Sequence, residues 1–223
     1  PCALSDEDAQ RRAECALVPM PLDHSDPARG SIGIAIKRLR STPGADAPTR
    51  VWFLDGGPGD SGIHSLPRLD EVLGDTGVDL YTLDHRGVGQ SAELSCPDQE
   101  ADGSPGGSEI LEEEWAGCMA PLRDKRPDLP WLTTGQAADD VAMLIDSTDV
   151  PDVESVVFGA SYGTYWALRY LEMHPDQPDA VILDGLVPPD WTFAEFDASV
   201  DAMARRLMAS CIDQPDCREH LGE

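Results

Sequence analysis

Positive charge is scarce in this sequence of 223 residues: 16 lysines and arginines face 42 aspartates and glutamates, for a net charge of −26. A protein that tracks a phosphate backbone needs a basic footprint, so nucleic-acid binding is excluded as a function class. Two readings of the acidity stay open: a solvated surface suited to a salty or extracellular medium, or an acidic cleft that draws substrates carrying an amine. Long apolar runs are missing as well, and none reaches the length of a membrane-spanning helix. There is no internal repeat and no low-complexity tract. Neither glycine cluster has the GxGxxG spacing and no P-loop lysine follows one, which sets aside dinucleotide and phosphate-loop binding. Cysteine and histidine never fall at the tight paired spacing of a zinc site, so neither a metal nor an organic cofactor is expected.

What is present points elsewhere. Six cysteines fall into three locally spaced couples, Cys2 with Cys15, Cys96 with Cys118 and Cys211 with Cys217. Fifteen connectivities are formally possible. An even count in short loops nevertheless suggests disulfides and an oxidising compartment, so a secreted or periplasmic location is expected. The opening Pro1-Cys2-Ala3-Leu4-Ser5 has no leader-like apolar stretch, as a processed terminus or a trimmed piece would look.

Strand and helix signals alternate from about residue 31 to residue 189, the pattern of an α/β protein with a mostly parallel central sheet flanked by helices. Strands are expected over 31–40, 50–54, 78–83, 153–158 and 180–183. Helices are expected over 63–73, 108–119, 134–146 and 163–173, the third on the spacing of Ala138, Val141, Ala142 and Ile145. Beyond Asp190 the pattern changes to amphipathic helix, Trp191 to Cys211, with no further strand. Two parts are therefore expected: residues 1–189 as the N-terminal part of an α/β core, and 190–223 as the start of a helical lid.

The most informative motif is Gly159-Ala160-Ser161-Tyr162-Gly163. An apolar strand runs directly into it and a helix runs directly out. A serine on so sharp a turn is strained, and the flanking glycines let strand and helix pass close by. The turn lifts the hydroxyl into a cleft at the positive end of a helix, where a base can reach it. A second motif, Gly56-Gly57-Pro58-Gly59-Asp60-Ser61-Gly62, follows an earlier strand. Acyl transfer needs two backbone N–H donors aimed at the developing oxyanion. The amide of Tyr162 is one candidate; Gly57 is the other, with Gly56 as fallback, because Pro58 has no N–H to give.

These motifs, taken in order with Asp84-His85-Arg86-Gly87-Val88-Gly89-Gln90-Ser91 and Leu183-Asp184-Gly185, resemble the tripeptidyl and prolyl aminopeptidase branch of the α/β-hydrolases. Within that branch the chain resembles the secreted tripeptidyl members more than the prolyl ones. The resemblance runs from about Val18 to Cys217. It implies an α/β-hydrolase fold and a serine exopeptidase acting on free peptide N-termini. Ser161 would be the nucleophile, the Gly57 and Tyr162 amides the oxyanion hole, and Arg86 a brace for nearby loops. Prolyl members usually carry His before Gly-Gly-Pro-Gly; here Asp55 stands there, read as a brace of the turn. The triad order of the fold is Ser, Asp, His, with the last two beyond the lid. They are therefore expected outside these residues, on a second chain left by a nick in the lid or on a missing part of a fragment.

None of the five histidines is expected to substitute. His85 follows a core strand and is read as surface or supporting, not as the general base. His64 is assigned to packing, and His24, His174 and His220 to solvated surface. Asp184 is read as structural. The substrate amine would meet acidic residues of the lid, where Glu195 and Asp197 stand. A carboxylesterase on the same scaffold, or an inactive hydrolase fold used for binding, are the alternatives.

Overall fold

The computed structural model describes residues 2–4, 12–41, 47–107, 109–190, 192 and 196–221. Among the described residues, seven strands form one sheet in the order β1-β2-β3-β5-β4-β6-β7. β1 (Cys2–Ala3), β2 (Arg12–Pro21) and β3 (Ser31–Leu39) make an antiparallel wing, and β3 also runs antiparallel to β5 (Asp79–Leu83). β5, β4 (Thr49–Leu54), β6 (Glu154–Ala160) and β7 (Ala180–Asp184) are mutually parallel.

A strand buried on both faces reads as an unbroken apolar run, and β4 does so. Trp52 and Leu54 face a cluster that includes Val141, Trp166, Ala167 and Tyr170 on α3 (Thr134–Ser147) and α4 (Tyr162–Met173). The alternate residues Val51 and Phe53 pack with Leu66 and Leu69 of α1 (Gly62–Leu73) on the opposite face. β7 has much less cover: Ile182 is 48% exposed and Leu183 37%.

β1 and β2 lie outside the expected strands. They are tied together by the Cys2–Cys15 disulfide, and Cys96–Cys118 fastens the loop after Ser91 to α2 (Trp115–Lys125). α2 begins later than the expected 108–119 helix, after a single 3-10 turn at Glu112–Glu114; Ser108 lies outside the described residues. The chain divides into two compact units, Pro1–Val187 and Pro188–Glu223. The second unit consists of α5 (Phe196–Ile212) and α6 (Pro215–Leu221), joined by Cys211–Cys217. No helix among the described residues is long and apolar enough to cross a membrane.

The topology fixes where a site forms. From β4 the next strand in sequence lies on one side, and β6 lies on the other. The chain reverses direction across the sheet at this point, which opens a crevice outside the carboxyl ends of β4 and β6. Leu54 pairs with Gly159 and Ala160 with Asp184, so the turns after β4, β6 and β7 emerge side by side.

Candidate active site

Ser161 stands alone between the last residue of β6 and the first of α4, at φ 52° and ψ −120°. A side-chain-bearing residue at positive φ costs on the order of 1–3 kcal/mol and persists only where its surroundings over-determine it. They do so here. Ser161 N–H donates to the Asp184 carbonyl at 2.8 Å, and buried Thr164 Oγ1 donates to the Ser161 carbonyl at 2.7 Å. Thr164 Oγ1 in turn accepts from Val187 N–H at 2.8 Å. A Cβ at Gly159 would fall 2.3 Å from the Gly163 carbonyl oxygen, and one at Gly163 only 1.9 Å from that of Leu54. Both glycines are therefore demanded by contact. The Ser161 side chain is exposed and caps nothing, so its hydroxyl is open at the N-terminus of α4.

The glycine loop passes beside this serine. A Cβ on buried Gly56 would sit 3.0 Å from Ser161 Cβ and 3.6 Å from its Oγ. Gly56 N–H donates to Asp55 Oδ1 at 2.8 Å, which withdraws the fallback oxyanion donor. Asp55 thus braces the turn with one oxygen, while Oδ2 is buried without a partner among the described residues. Gly57, at φ 99°, is exposed, and a Cβ there would lie 2.6 Å from Gly59 N. Its N–H and that of Tyr162, in the first turn of α4, make no hydrogen bond to a described residue. Two backbone donors therefore stand free on the two turns that flank the serine hydroxyl.

An aromatic cluster follows the serine on α4. Tyr162 OH and Thr134 Oγ1 are 2.6 Å apart, and Tyr162 stacks on Tyr165 at 5.9 Å. Burial pushes the Tyr162 phenol up from its ordinary value. His85 is packed edge-on against Trp166 at 4.8 Å and Tyr162 at 6.1 Å. Its Nδ1 lies 2.8 Å from the Arg86 carbonyl, so Nδ1 carries the proton, and Nε2 is buried without a partner among the described residues. Burial drives its pKa down, against the opposing pull of that hydrogen bond.

No described histidine hydrogen-bonds Ser161. His24 corrects the expectation of a solvated surface: its side chain is only 11% exposed, and Nε2 sits 2.8 Å from Asp140 Oδ1. Asp140 and Arg86 form a buried two-pronged ion pair, with Nε and Nη2 at 2.8 and 2.7 Å. Arg86 also donates to the carbonyls of Pro21, Leu22 and Trp131, welding the β2 end to the approach to α3. His174 is likewise tied down, 2.9 Å from Asp139. His64 is exposed near the start of α1, where packing was expected. The side chain of His220 and residue Glu195 lie outside the described residues; Asp197 is exposed in the first turn of α5. No group of three metal-ligating side chains occurs among the described residues.

A strained serine at a strand-to-helix turn, beside a glycine loop at the topological crevice, defines a class. The model of the alpha/beta hydrolase fold matches residues 49–219, and the chain belongs to that family. Within it, the chain is 27% identical over 247 residues to tripeptidyl aminopeptidase of Streptomyces lividans, across 100% of this chain and 45% of that protein. It is 27% identical over 194 residues to serine protease Hip1 of Mycobacterium tuberculosis, covering 80% of this chain and 36% of the relative. A proline iminopeptidase of Aspergillus aculeatus is 25% identical over 178 residues, 74% of this chain and 35% of its own. The chain therefore spans less than half the length of these relatives. Among solved structures, a thermostable carboxyl esterase from Bacillus coagulans aligns with a TM-score of 0.48 and 14% identity, over 89% of this chain and 52% of that one.

Proposed function

We propose that this chain is the nucleophile-bearing part of a secreted or periplasmic serine exopeptidase, which releases residues or short peptides from free N-termini. The observation that carries the reading is Ser161 itself: a strained, exposed serine whose hydroxyl, like the nearby amides of Gly57 and Tyr162, has no partner among the described residues. The similarity to a tripeptidyl aminopeptidase supports the peptide substrate, and three disulfides support an oxidising compartment.

In this mechanism Ser161 Oγ attacks the peptide carbonyl while a histidine removes its proton. That histidine and the aspartate that orients it come from a C-terminal segment outside this sequence, on the same polypeptide or a second one. The carbonyl oxygen becomes an oxyanion held by the Gly57 and Tyr162 amides, each such donor being worth roughly 10²–10³ in turnover. The histidine returns the proton to the leaving amine, and water then hydrolyses the acyl-enzyme. No metal or organic cofactor takes part.

The test compares a tripeptidyl anilide with its N-acetylated counterpart on the protein including its C-terminal segment. Turnover of the free-amine substrate alone, lost in Ser161→Ala, is the expected result. Equal turnover of both, or faster cleavage of short acyl esters, overturns the exopeptidase reading.

A further inference from the structure

The glycine loop is held at its two ends, and the far end hangs on a carboxylate outside the elbow and the oxyanion donors. Asp84, at the end of β5, is fully buried and takes three hydrogen bonds. Ser61 Oγ–H donates to Oδ1 at 2.6 Å, Ile63 N–H to Oδ1 at 3.1 Å, and Gln90 N–H to Oδ2 at 2.8 Å. The Asp84 N–H donates to the Ala35 carbonyl at 3.1 Å, which fixes the residue to β3. Close packing reinforces the clasp: a Cβ on Gly89 would lie 2.4 Å from Asp84 Oδ2 and 3.3 Å from Ser61 Oγ, and one on Gly62 would lie 2.3 Å from Thr82 Oγ1.

At the near end, Asp55 Oδ1 holds the Gly56 N–H. Between the two anchors run exposed Gly57, Pro58, Gly59 and Asp60, with one long backbone bond, Asp60 N–H to Gly56 carbonyl at 3.4 Å. No described side chain holds Gly57 directly. The direction of its N–H is therefore set by the anchors. A carboxylate suits the far one, because it accepts on both oxygens, whereas an amide would turn an NH2 group toward either Gln90 N–H or the Ser61 and Ile63 donors.

We infer that Asp84, acting through Ser61, is a positioning residue that aims the Gly57 amide at the oxyanion; this rests on the serine-hydrolase reading above. Ser61 serves two roles at once. It donates to Asp84 and accepts from His64 N–H at 3.2 Å, which caps α1 and sets the point where the loop re-enters the frame. Loss of either partner would leave Gly56 in place beside Ser161 and allow Gly57 to swing.

The experiment measures kcat and KM on a peptide anilide for Ser61→Ala, Ser61→Thr, Asp84→Asn and the Ser61→Ala/Asp84→Asn double variant, in the protein carrying its C-terminal segment. Ser161→Ala runs alongside as a control on the underlying reading. Ser61→Ala should lower kcat roughly ten- to hundredfold, less than outright loss of an oxyanion donor, with KM changed less than about twofold. Ser61→Thr, which keeps the hydroxyl, should restore most of the rate. Because the two residues act as one unit, the double variant should fall no further than the worse single variant. A folded Ser61→Ala enzyme with kcat within about twofold of the parent, or losses that multiply in the double variant, overturns the inference. Should Asp84→Asn fail to fold, Ser61→Ala against Ser61→Thr decides alone. Full activity in Ser161→Ala would instead sink the serine-hydrolase reading on which the inference stands.

Discussion

Two turns at the carboxyl edge of the same sheet are both rich in glycine, and they are anchored differently. At the elbow, glycine is compulsory: Cβ atoms at Gly159 and Gly163 would meet backbone at 2.3 and 1.9 Å, and Ser161 is locked by backbone bonds to Asp184 and Thr164. In the loop after β4, Gly57 is demanded too, since a Cβ there would lie 2.6 Å from Gly59 N. A Cβ on Gly59, however, would touch nothing within 4 Å, and the loop is held through the Asp55 side chain and the Ser61–Asp84 pair. On the proposed reading, a nucleophile that must not move has its strain held by main chain and packing, and an oxyanion donor that meets charge only during reaction is aimed by side-chain anchors.

The comparison is open to breakage at several points. The largest effect is expected from Gly163→Ala, where a methyl group would have to displace the backbone of Leu54. It should destabilise the fold by about 3 kcal/mol or more, read from urea unfolding, with little soluble protein recovered. Ser161→Gly should do the reverse and raise stability by about 1 kcal/mol over Ser161→Ala while leaving the enzyme inactive, because glycine tolerates φ 52°. If the two variants unfold alike, the serine is not strained. Gly59→Ala, at φ 116° in open space, should cost about 1 kcal/mol, from backbone strain alone. A loss matching that of Gly163→Ala would erase the distinction between the turns.

The smallest effect concerns His85, which packs against Tyr162 and Trp166 of α4. Burial lowers the His85 pKa in the folded protein below its ordinary value near 6.5. The unfolded chain then binds more protons below that pH, so His85 withdraws stability as pH falls through about 6.5 and below. The carboxylates of Asp23 and Asp128 are shifted downward instead, and act only in more acidic solution. The urea midpoint should therefore drop between pH 7 and pH 5.5, and the drop should shrink in His85→Gln. An unchanged slope would mean that His85 takes up a proton in the folded protein as easily as in the unfolded chain.

The elbow and the glycine loop were legible in the sequence because their signals are local: an apolar strand, a glycine-flanked serine and a helix in direct succession. Parallel β4, β5, β6 and β7 were legible for the same reason. β2 was not, since Leu17 is exposed while Met20 is buried, and its pairing with β3 is what makes it a strand. His24 and His174 were misread because their partners are distant in the chain. His24 meets Asp140 across 116 residues and His174 meets Asp139 across 35, contacts that no spacing rule reveals. The Asp84 clasp joins Ser61 across 23 residues, so the motif showed the aspartate without its task.

The central claim is that Ser161 becomes an activated nucleophile once the C-terminal segment is present. The most direct measurement treats that full-length protein with a fluorophosphonate and maps the adduct by mass spectrometry of its peptides. The account predicts a single phosphonylated site at Ser161, absent from the Ser161→Ala variant and from this chain alone. Unlabelled Ser161 in a protein that still cleaves peptide anilides would contradict it.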